Sequence, residues 1–315
     1  MFVTKSANSD VDLSIQFGPL ALKTPVIAAS GTFGYGTEFR GLVDFEAFGA
    51  IILKAVSLEP RPGNAYPRIV ETPAGMLNTI GLENPGLDVF IREKLPDSST
   101  LGVPLIANLV GDRVSDYAEL AEALDGQESI AAIEINASCP NVECGYETFA
   151  TTQEAISELV AAVREKTKKP VIAKLSPNVT DILPIAEGAV NGGADGLTLV
   201  NTFLGMSIDT ETRRSRVARD YAGLSGHAIR PIALRIVHEV ASSIDIPIIG
   251  TGGIYDTSDA LEYLIAGATA VSVGTINFIH PGRAMEIADG LREYLRKHDM
   301  KMSELIGSYI GANEP

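Results

Sequence analysis

The chain has 315 residues, of which 45% are hydrophobic, and this describes a globular protein with a core large enough for one sizeable domain. Its 40 acidic and 25 basic residues give a formal net charge of −15, which disfavours nucleic acid and anionic membranes as partners. No secretory signal is recognisable and there are only two cysteines, so we expect a cytoplasmic protein with free thiols.

Short apolar segments rich in β-branched residues alternate with amphipathic segments along the chain. Eight of them are expected to form buried strands, at residues 26–30, 50–57, 103–111, 131–138, 170–176, 196–201, 246–253 and 270–276. Helical patterns follow the later strands, at residues 152–167, 180–191, 229–243, 256–266 and 281–297. Apolar strands that are each followed by a helix indicate parallel pairing with both faces covered. Eight such units predict a (β/α)8 TIM barrel, formed as a single domain over residues 1–315.

Three segments depart from this alternation. Residues 12–25 are expected to form an N-terminal hairpin across the N-terminal mouth of the barrel. Residues 58–100 and 202–228 form long loops after the second and sixth strands. Loops of this length are usually functional covers or disordered, and in a barrel the loops after the strands build the active site. We therefore expect both long loops to lie over the C-terminal mouth.

Polar side chains occupy equivalent points of five predicted strands. Lys54 and Lys174 interrupt two apolar runs, and Asn108, Asn136 and Asn201 lie at the ends of three others. For one lysine alone, an edge position or a snorkelling side chain is an equally good interpretation. In a barrel, however, all five would converge on the C-terminal mouth. There, amides suit a planar heterocycle, and lysine suits a carboxylate or the charge that develops on a cofactor.

Glycine-rich segments end the seventh and eighth strands, "GTGGI" (250–254) and "VGTIN" (273–277). Glycines let backbone N–H groups approach an anion closely, and phosphate sites after strands 7 and 8 recur in such barrels. The pair therefore favours a phosphate-bearing ligand over ordinary turns. No G-x-G-x-x-G motif opens a βαβ unit and no metal-ligand cluster stands out, so a Rossmann-type nicotinamide site and a metal site are disfavoured. Glu134 is either a structural salt-bridge partner or a group that supports the site.

Both cysteines, Cys139 and Cys144, lie in the segment "EINASCPNVECG" (134–145). A disulfide fits poorly with a reducing compartment, and a metal site would need further ligands. A buried position fits poorly with a Pro-Asn turn at a strand end. The segment therefore favours a reactive thiol on a loop.

Seven segments, in chain order, resemble the dihydroorotate dehydrogenase family, and the class 1B catalytic subunit in particular. They are "SGTFGYGTEF" (30–39), "KAVSLEPRPGN" (54–64), "ETPAGMLNTIGLENPG" (71–86), "NASCPNVECG" (136–145), "NTFLGMSID" (201–209), "GLSGHAIRPIALR" (223–235) and "GTGGI" (250–254). The resemblance covers nearly the whole chain. It implies an FMN-bearing (β/α)8 barrel that oxidises (S)-dihydroorotate to orotate in the biosynthesis of pyrimidines (UMP).

The resemblance also implies roles for individual residues. Cys139 resembles the base, on a mobile loop, that removes the C5 proton while hydride passes from C6 to the flavin N5, and Cys144 is then a bystander. A thiol suits this role because its unperturbed pKa is about 8.5. The implied substrate-binding residues are Lys54, Asn78, Thr79, Ile80, Gly81, Leu82, Asn136, Asn201 and Thr202. The implied FMN contacts are Ser30, Lys54, Ala55, Asn108, Asn136, Lys174, Val200, Gly226, Gly252, Gly253, Gly274 and Thr275.

Class 1B membership would further imply a partner subunit that carries FAD and a [2Fe–2S] cluster and passes electrons to NAD⁺. The expected assembly has two catalytic and two electron-transfer chains around a homodimer core. This chain cannot ligate such a cluster itself, because two cysteines cannot supply four thiolates. Two departures from the family pattern are Cys144, where histidine, lysine or glycine is expected, and "GTINFIHP" (274–281) in place of "GTANF".

Three alternatives stay open. One is a fumarate-using class 1A homodimer, and another is a flavin barrel related to dihydropyrimidine dehydrogenase. The segments "KAVSLEPRPGN" (54–64) and "AIRPIALR" (228–235) speak against the second of these. The third is a barrel that binds a phosphate-bearing ligand without catalysis.

Overall fold

Eight parallel strands close into a barrel in the computed structural model, whose described residues are 11–138, 140, 141, 147–149 and 151–312. The strands are β1 (Val26–Ala28), β2 (Ala50–Ile52), β3 (Leu105–Leu109), β4 (Ile130–Asn136), β5 (Val171–Lys174), β6 (Gly196–Leu199), β7 (Ile248–Thr251) and β8 (Ala270–Val273). Each pairs in parallel with its neighbours in the chain, and β8 pairs with β1. The predicted (β/α)8 TIM barrel is confirmed.

Helices follow the strands and cover the outside of the barrel. They are α1 (Leu87–Val89), α2 (Leu95–Ser99), α3 (Val114–Asp125), α4 (Gln153–Lys166), α5 (Leu183–Asn191), α6 (Arg230–Ser243), α7 (Thr257–Ile265), α8 (Arg283–His298) and α9 (Met302–Leu305). A π-helical segment, Phe90–Lys94, joins α1 to α2. The five predicted helices correspond to α4 to α8, with ends within three residues. Between β1 and β2 the chain forms two short 3₁₀ segments, Thr37–Phe39 and Phe45–Ala47.

The helix α4 illustrates how the sequence sets these elements. Its buried residues Ile156, Leu159, Val160 and Val163 recur at the spacing of one helical face, so this face packs inward. The Thr152 side chain accepts a hydrogen bond from the backbone N–H of Ala155 and caps the first turn. The strands are mostly apolar for the complementary reason that both of their faces are buried.

An antiparallel hairpin closes the N-terminal end of the barrel, as predicted. It pairs Ile15–Phe17 with Leu20–Leu22. The ring of Phe17 is buried and lies against Gly196, the first residue of β6. Because parallel strands all begin at this end, Phe17 plugs the end opposite to the one where the polar residues gather.

We expect the substitution Gly196→Ala to destabilise the protein by about 1–3 kcal/mol, because overpacking forces side chains from their preferred positions. A Cβ at this position would lie 2.5 Å from a ring carbon of Phe17. Urea unfolding measures the loss, and Gly126→Ala is the matched control, since nothing lies within 4 Å of its Cβ position. Adding Phe17→Leu to Gly196→Ala should restore part of the stability. If the double variant is no more stable than Gly196→Ala, the contact is not the cause.

The two long segments after β2 and β6 form one four-stranded antiparallel sheet. The strand order is Phe203–Gly205, Ala222–Ser225, Gly75–Asn78 and Ile69–Thr72. The central pair joins the two segments, with Leu224 opposite Leu77. Leu77, Val217 and Ala222 are buried together as a small core of their own. Each segment was expected to be a cover or disordered, and the structure shows both as ordered and paired with each other.

Candidate active site

The five polar residues singled out in the strands lie at one end of the barrel. Asn136 and Lys174 are the last residues of β4 and β5, and Asn108 is the last but one of β3. Lys54 and Asn201 each follow the end of their strand by two residues. Since the C-terminal ends of parallel barrel strands share one mouth, the structure brings all five to it, as the sequence predicted.

A buried hydrogen-bonded network lies at this mouth, centred on Glu134 of β4, whose side chain is 0% exposed. Its Oε1 atom accepts from Asn108 Nδ2 at 2.6 Å, and its Oε2 atom accepts from Thr198 Oγ1 at 2.7 Å. The ammonium nitrogen of Lys174 lies 4.0 Å from Oε1. The sequence left the role of Glu134 open, and the structure gives it two hydrogen-bond donors and a cation.

Asn136 and Asn201 contact each other directly. Asn201 Nδ2 donates to Asn136 Oδ1 at 3.2 Å and to Ser138 Oγ at 3.0 Å, while Asn201 Oδ1 accepts from the Thr202 backbone N–H at 2.8 Å. The Tyr117 hydroxyl donates to the Asn136 carbonyl at 2.9 Å. The strand end that precedes position 139 is therefore fixed from two sides. Cys139 and Cys144 themselves lie outside the described residues.

Lys54 lies near the mouth beside an acidic residue that sequence reasoning missed. Its side chain is 31% exposed, and its ammonium nitrogen lies 4.0 Å from Glu83 Oε2. Arg68 Nη1 donates to the same oxygen at 2.8 Å. Of the neighbouring candidates, Ser30 donates through its hydroxyl to the Leu53 carbonyl at 2.9 Å, and Ala55 is half-buried. The Glu83 carboxylate thus faces two cations, Lys54 and Arg68, so this group of three side chains carries a net positive charge.

The segment from Asn78 to Leu82 continues from a strand of the four-stranded sheet. Asn78 Nδ2 donates to the Gly223 carbonyl at 3.2 Å. Asn64 holds the middle of the segment: its side chain donates to Thr79 Oγ1 at 2.8 Å, and its backbone N–H donates to the Ile80 carbonyl at 2.9 Å. Gly81 and Leu82 both adopt positive φ, 76° and 56°. Residues 78–82 are therefore held by contacts with Asn64 in the first long segment and Gly223 in the second.

The glycine-rich loops meet one another at the ends of β6 to β8. Gly226, Gly252 and Gly253 have φ of 99°, 131° and 72°, and a Cβ on Gly253 would lie 2.9 Å from the Gly226 carbonyl oxygen. Thr275 Oγ1 donates to Ser225 Oγ at 2.8 Å, and the Val200 backbone N–H donates to the Thr251 carbonyl at 3.0 Å. A Cβ on Gly274 would lie 3.7 Å from the Ala29 Cβ, which is an ordinary van der Waals contact.

Side chains from α6, α7 and the 3₁₀ turn His227–Ile229 before α6 support these loops, and sequence reasoning missed them. His227 Nδ1 lies 3.1 Å from the Gly253 carbonyl oxygen and 3.5 Å from Asp259 Oδ2. Arg230 Nη1 lies 2.7 Å from Asp259 Oδ1. Asp259 is buried and Arg230 is half-buried, so the pair is partly shielded from water. Only the fold brings these residues together, because Asp259 lies on α7 and the other two at the start of α6 and just before it.

Tyr263 of α7 donates to the Gly252 carbonyl at 2.6 Å from a fully buried position. Burial raises the pKa of its hydroxyl, which therefore stays protonated as a donor. We expect Tyr263→Phe to lower the free energy of unfolding by about 1 kcal/mol, since one buried hydrogen bond is lost. Urea unfolding tests this, with Tyr255→Phe as the control because Tyr255 is 37% exposed. Equal stabilities of the two variants would contradict the expectation.

Comparison with known proteins identifies the family. The family model described as dihydroorotate dehydrogenase matches residues 12–295. A protein of Geotalea daltonii is 52% identical over 298 residues, which are 94% of this chain and 98% of that protein. One of Geotalea uraniireducens is 51% identical over 300 residues, or 95% and 98% of the two chains. A third, from Geobacter sulfurreducens, is 51% identical over 298 residues, or 94% and 98%.

All three relatives are named dihydroorotate dehydrogenase B (NAD⁺), catalytic subunit. The family model covers far more than half of this chain, and the relatives align with it over nearly their whole length. The chain belongs to the dihydroorotate dehydrogenase family.

Proposed function

We propose that this chain is the catalytic subunit of an NAD⁺-linked dihydroorotate dehydrogenase, which oxidises (S)-dihydroorotate to orotate in pyrimidine biosynthesis. The observation that carries the proposal is the convergence of two lysines and three asparagines on the mouth of a barrel of this family. The names of the relatives support the NAD⁺-linked class over the fumarate-using one. The match to a family of dehydrogenases counts against a barrel that only binds a ligand.

The residues present fit an FMN cofactor on this chain. Asn108 Oδ1 is buried and has no hydrogen-bond partner among the described residues, which suits an N–H group of a ligand. Lys174 offers a buried cation, and the glycine loops end strands β7 and β8 at the same mouth. We propose that the flavin contacts Ser30, Lys54, Ala55, Asn108, Asn136, Lys174 and Val200, and that its phosphate binds at Gly226, Gly252, Gly253, Gly274 and Thr275. When bound, FMN supplies the acceptor for the hydride that leaves C6 of the substrate.

The substrate is proposed to bind between the barrel mouth and the four-stranded sheet. The Lys54 ammonium group pairs with the substrate carboxylate, while Asn136, Asn201 and Thr202 bind the polar groups of the pyrimidine ring. The segment Asn78–Leu82 covers the ring from the other side. Cys139 takes the C5 proton on its sulfur as the C5–H bond breaks. Asn136 and Ser138 come just before Cys139 in the chain, and the Asn201 side chain donates a hydrogen bond to each. These contacts support the proposed position of Cys139.

We further propose that the chain works with a partner subunit that carries FAD and a [2Fe–2S] cluster and reduces NAD⁺. The words "catalytic subunit" in the relatives' names support a partner. The proposed assembly is a cytoplasmic heterotetramer around a homodimer core, with residues 1–315 of each catalytic chain forming one FMN-binding domain. None of the helices in the described part of the chain is long and apolar enough to cross a membrane.

An absorption spectrum of the purified protein, followed by anaerobic addition of dihydroorotate, tests the proposal. We expect flavin bands that bleach on addition of dihydroorotate and not of dihydrouracil. With the partner subunit added, NAD⁺ should restore the bands faster than fumarate does. Protein that stays colourless after reconstitution with FMN would contradict the flavoenzyme proposal, and bleaching by dihydrouracil alone would favour the dihydropyrimidine dehydrogenase alternative.

A further inference from the structure

Glu134 occupies an unusual place for a carboxylate, inside the barrel directly beneath the mouth. Its side chain is 0% exposed, and Asn108 and Thr198, which donate to it, are each 1% exposed. Asn108 lies opposite Glu134 in the β3–β4 register, and Lys174 lies opposite Thr198 in the β5–β6 register. Residues paired across a sheet project to the same face, so all four side chains share the interior. A buried charge of this kind is retained only where it is paired and hydrogen-bonded.

The chemistry of the carboxylate fixes how Asn108 is turned. Both oxygens of Glu134 can only accept, so the Asn108 atom that faces Oε1 at 2.6 Å must be the amide nitrogen. The Asn108 carbonyl oxygen must then face away from Glu134. That oxygen is buried and has no hydrogen-bond partner in the part of the chain that the structure describes. Leaving a buried acceptor without a hydrogen bond lowers stability. The orientation of the Asn108 amide is therefore explained if a ligand supplies the missing donor.

The position of Lys174 depends on the same carboxylate. Its ammonium nitrogen lies 4.0 Å from Glu134 Oε1, and its side chain is 10% exposed. Glu134 thus sets the charge around Lys174 as well as the orientation of Asn108. Both of these residues belong to the proposed flavin site.

We propose that Glu134 is a positioning residue of the flavin site, which turns the Asn108 carbonyl oxygen toward a ring N–H of the flavin and moderates the positive charge of Lys174. This inference rests on the proposed function. The oxidised flavin ring carries one N–H, at N3, and it is the donor that Asn108 would accept. In this proposal Glu134 does not contact the cofactor itself, and it acts on the flavin through Asn108 and Lys174.

The experiment compares FMN with 3-methyl-FMN, which lacks the N3–H group, by titrating apoprotein and following quenching of flavin fluorescence. Wild-type protein should prefer FMN by roughly tenfold or more, as expected for one buried hydrogen bond and the added bulk of the methyl group. Asn108→Ala measures how much of this preference is due to bulk alone. In Glu134→Leu, which removes both acceptors, the preference should fall to the value found for Asn108→Ala.

Glu134→Gln is the conservative variant. Its amide oxygen can still accept from Asn108, while its nitrogen donates to the Thr198 hydroxyl, so the preference for FMN should be retained. Loss of the negative charge beside Lys174 should, however, shift the midpoint potential of the bound flavin in the positive direction, because negative charge on the reduced flavin is better stabilised. This readout uses an isosteric variant and does not depend on whether Glu134→Leu folds.

A purely structural role for Glu134 gives different results. Affinities for FMN and 3-methyl-FMN would then fall in equal proportion in Glu134→Leu, and this unchanged preference would overturn the inference. An unchanged or more negative midpoint potential in Glu134→Gln would overturn it as well. Failure of the wild-type protein to bind either flavin is a distinct result, which would overturn the proposed function itself.

Discussion

The variant Cys139→Ala should bind FMN as the wild-type protein does and be reduced by dihydroorotate about 10²–10⁴ times more slowly at pH 7, the range that a general base contributes. The substitution removes the group proposed to take the C5 proton, while the described residues that precede it in the chain keep their contacts. Asn201 still holds Asn136 and Ser138, and Tyr117 still donates to the Asn136 carbonyl. Anaerobic stopped-flow measurement of flavin bleaching gives the rate.

The second cysteine provides the matched control. Cys144→Ala removes a thiol from the same segment, five residues further along, and should be reduced at nearly the wild-type rate. If Cys139→Ala is reduced at the wild-type rate, Cys139 is not the base. If Cys144→Ala is the slow variant, the roles of the two thiols are exchanged.

The second large effect is expected on stability. Lys174→Met should lower the free energy of unfolding of the apoprotein by about 3–5 kcal/mol, because breaking a buried ion pair leaves its partner charge uncompensated. The partner is the Glu134 carboxylate, which is 0% exposed and lies 4.0 Å from the ammonium nitrogen. Methionine keeps most of the length of the lysine side chain, so loss of packing contributes little. Urea unfolding without FMN separates this effect from cofactor binding.

An exposed pair of the same chemistry serves as the control. Lys166 lies 3.3 Å from Glu122, with side chains 43% and 65% exposed. Lys166→Met should therefore change the free energy of unfolding by less than about 1 kcal/mol, as is usual for surface pairs. The double variant Lys174→Met with Glu134→Leu should recover part of the loss, since no unpaired charge remains. If Lys174→Met is as stable as Lys166→Met, the buried pair does not contribute as inferred.

The barrel could be predicted because its strands are buried on both faces. Runs such as residues 50–53 and 171–173 are continuously apolar, and the amphipathic pattern of α4 fixes which face it buries. The segment between β1 and β2 could not be assigned in the same way, since it forms two 3₁₀ turns rather than a helix. Turns of three residues are too short to produce a hydrophobic period.

The candidate site was predictable where polar residues interrupt an apolar strand. Lys54, Lys174 and Asn108 stand out for this reason, and the fold brings them to one mouth. Thr198 lies in such a run as well, but threonine is common in strands and gives no signal. Glu83 could not be found either, because its contact with Lys54 spans a long loop. Contacts between distant segments depend on tertiary register, which a local pattern does not contain.

The pairing of Leu77 with Leu224 has a consequence for how this enzyme can be altered. It joins residues 58–100 to residues 202–228, although more than a hundred positions separate them in the chain. A chimera that takes only one of these segments from a relative would combine strands whose facing side chains were never selected together. Exchanging both at once preserves their shared small core. In recombination with its relatives, the two segments should therefore be exchanged together as one unit, although they are far apart in the sequence.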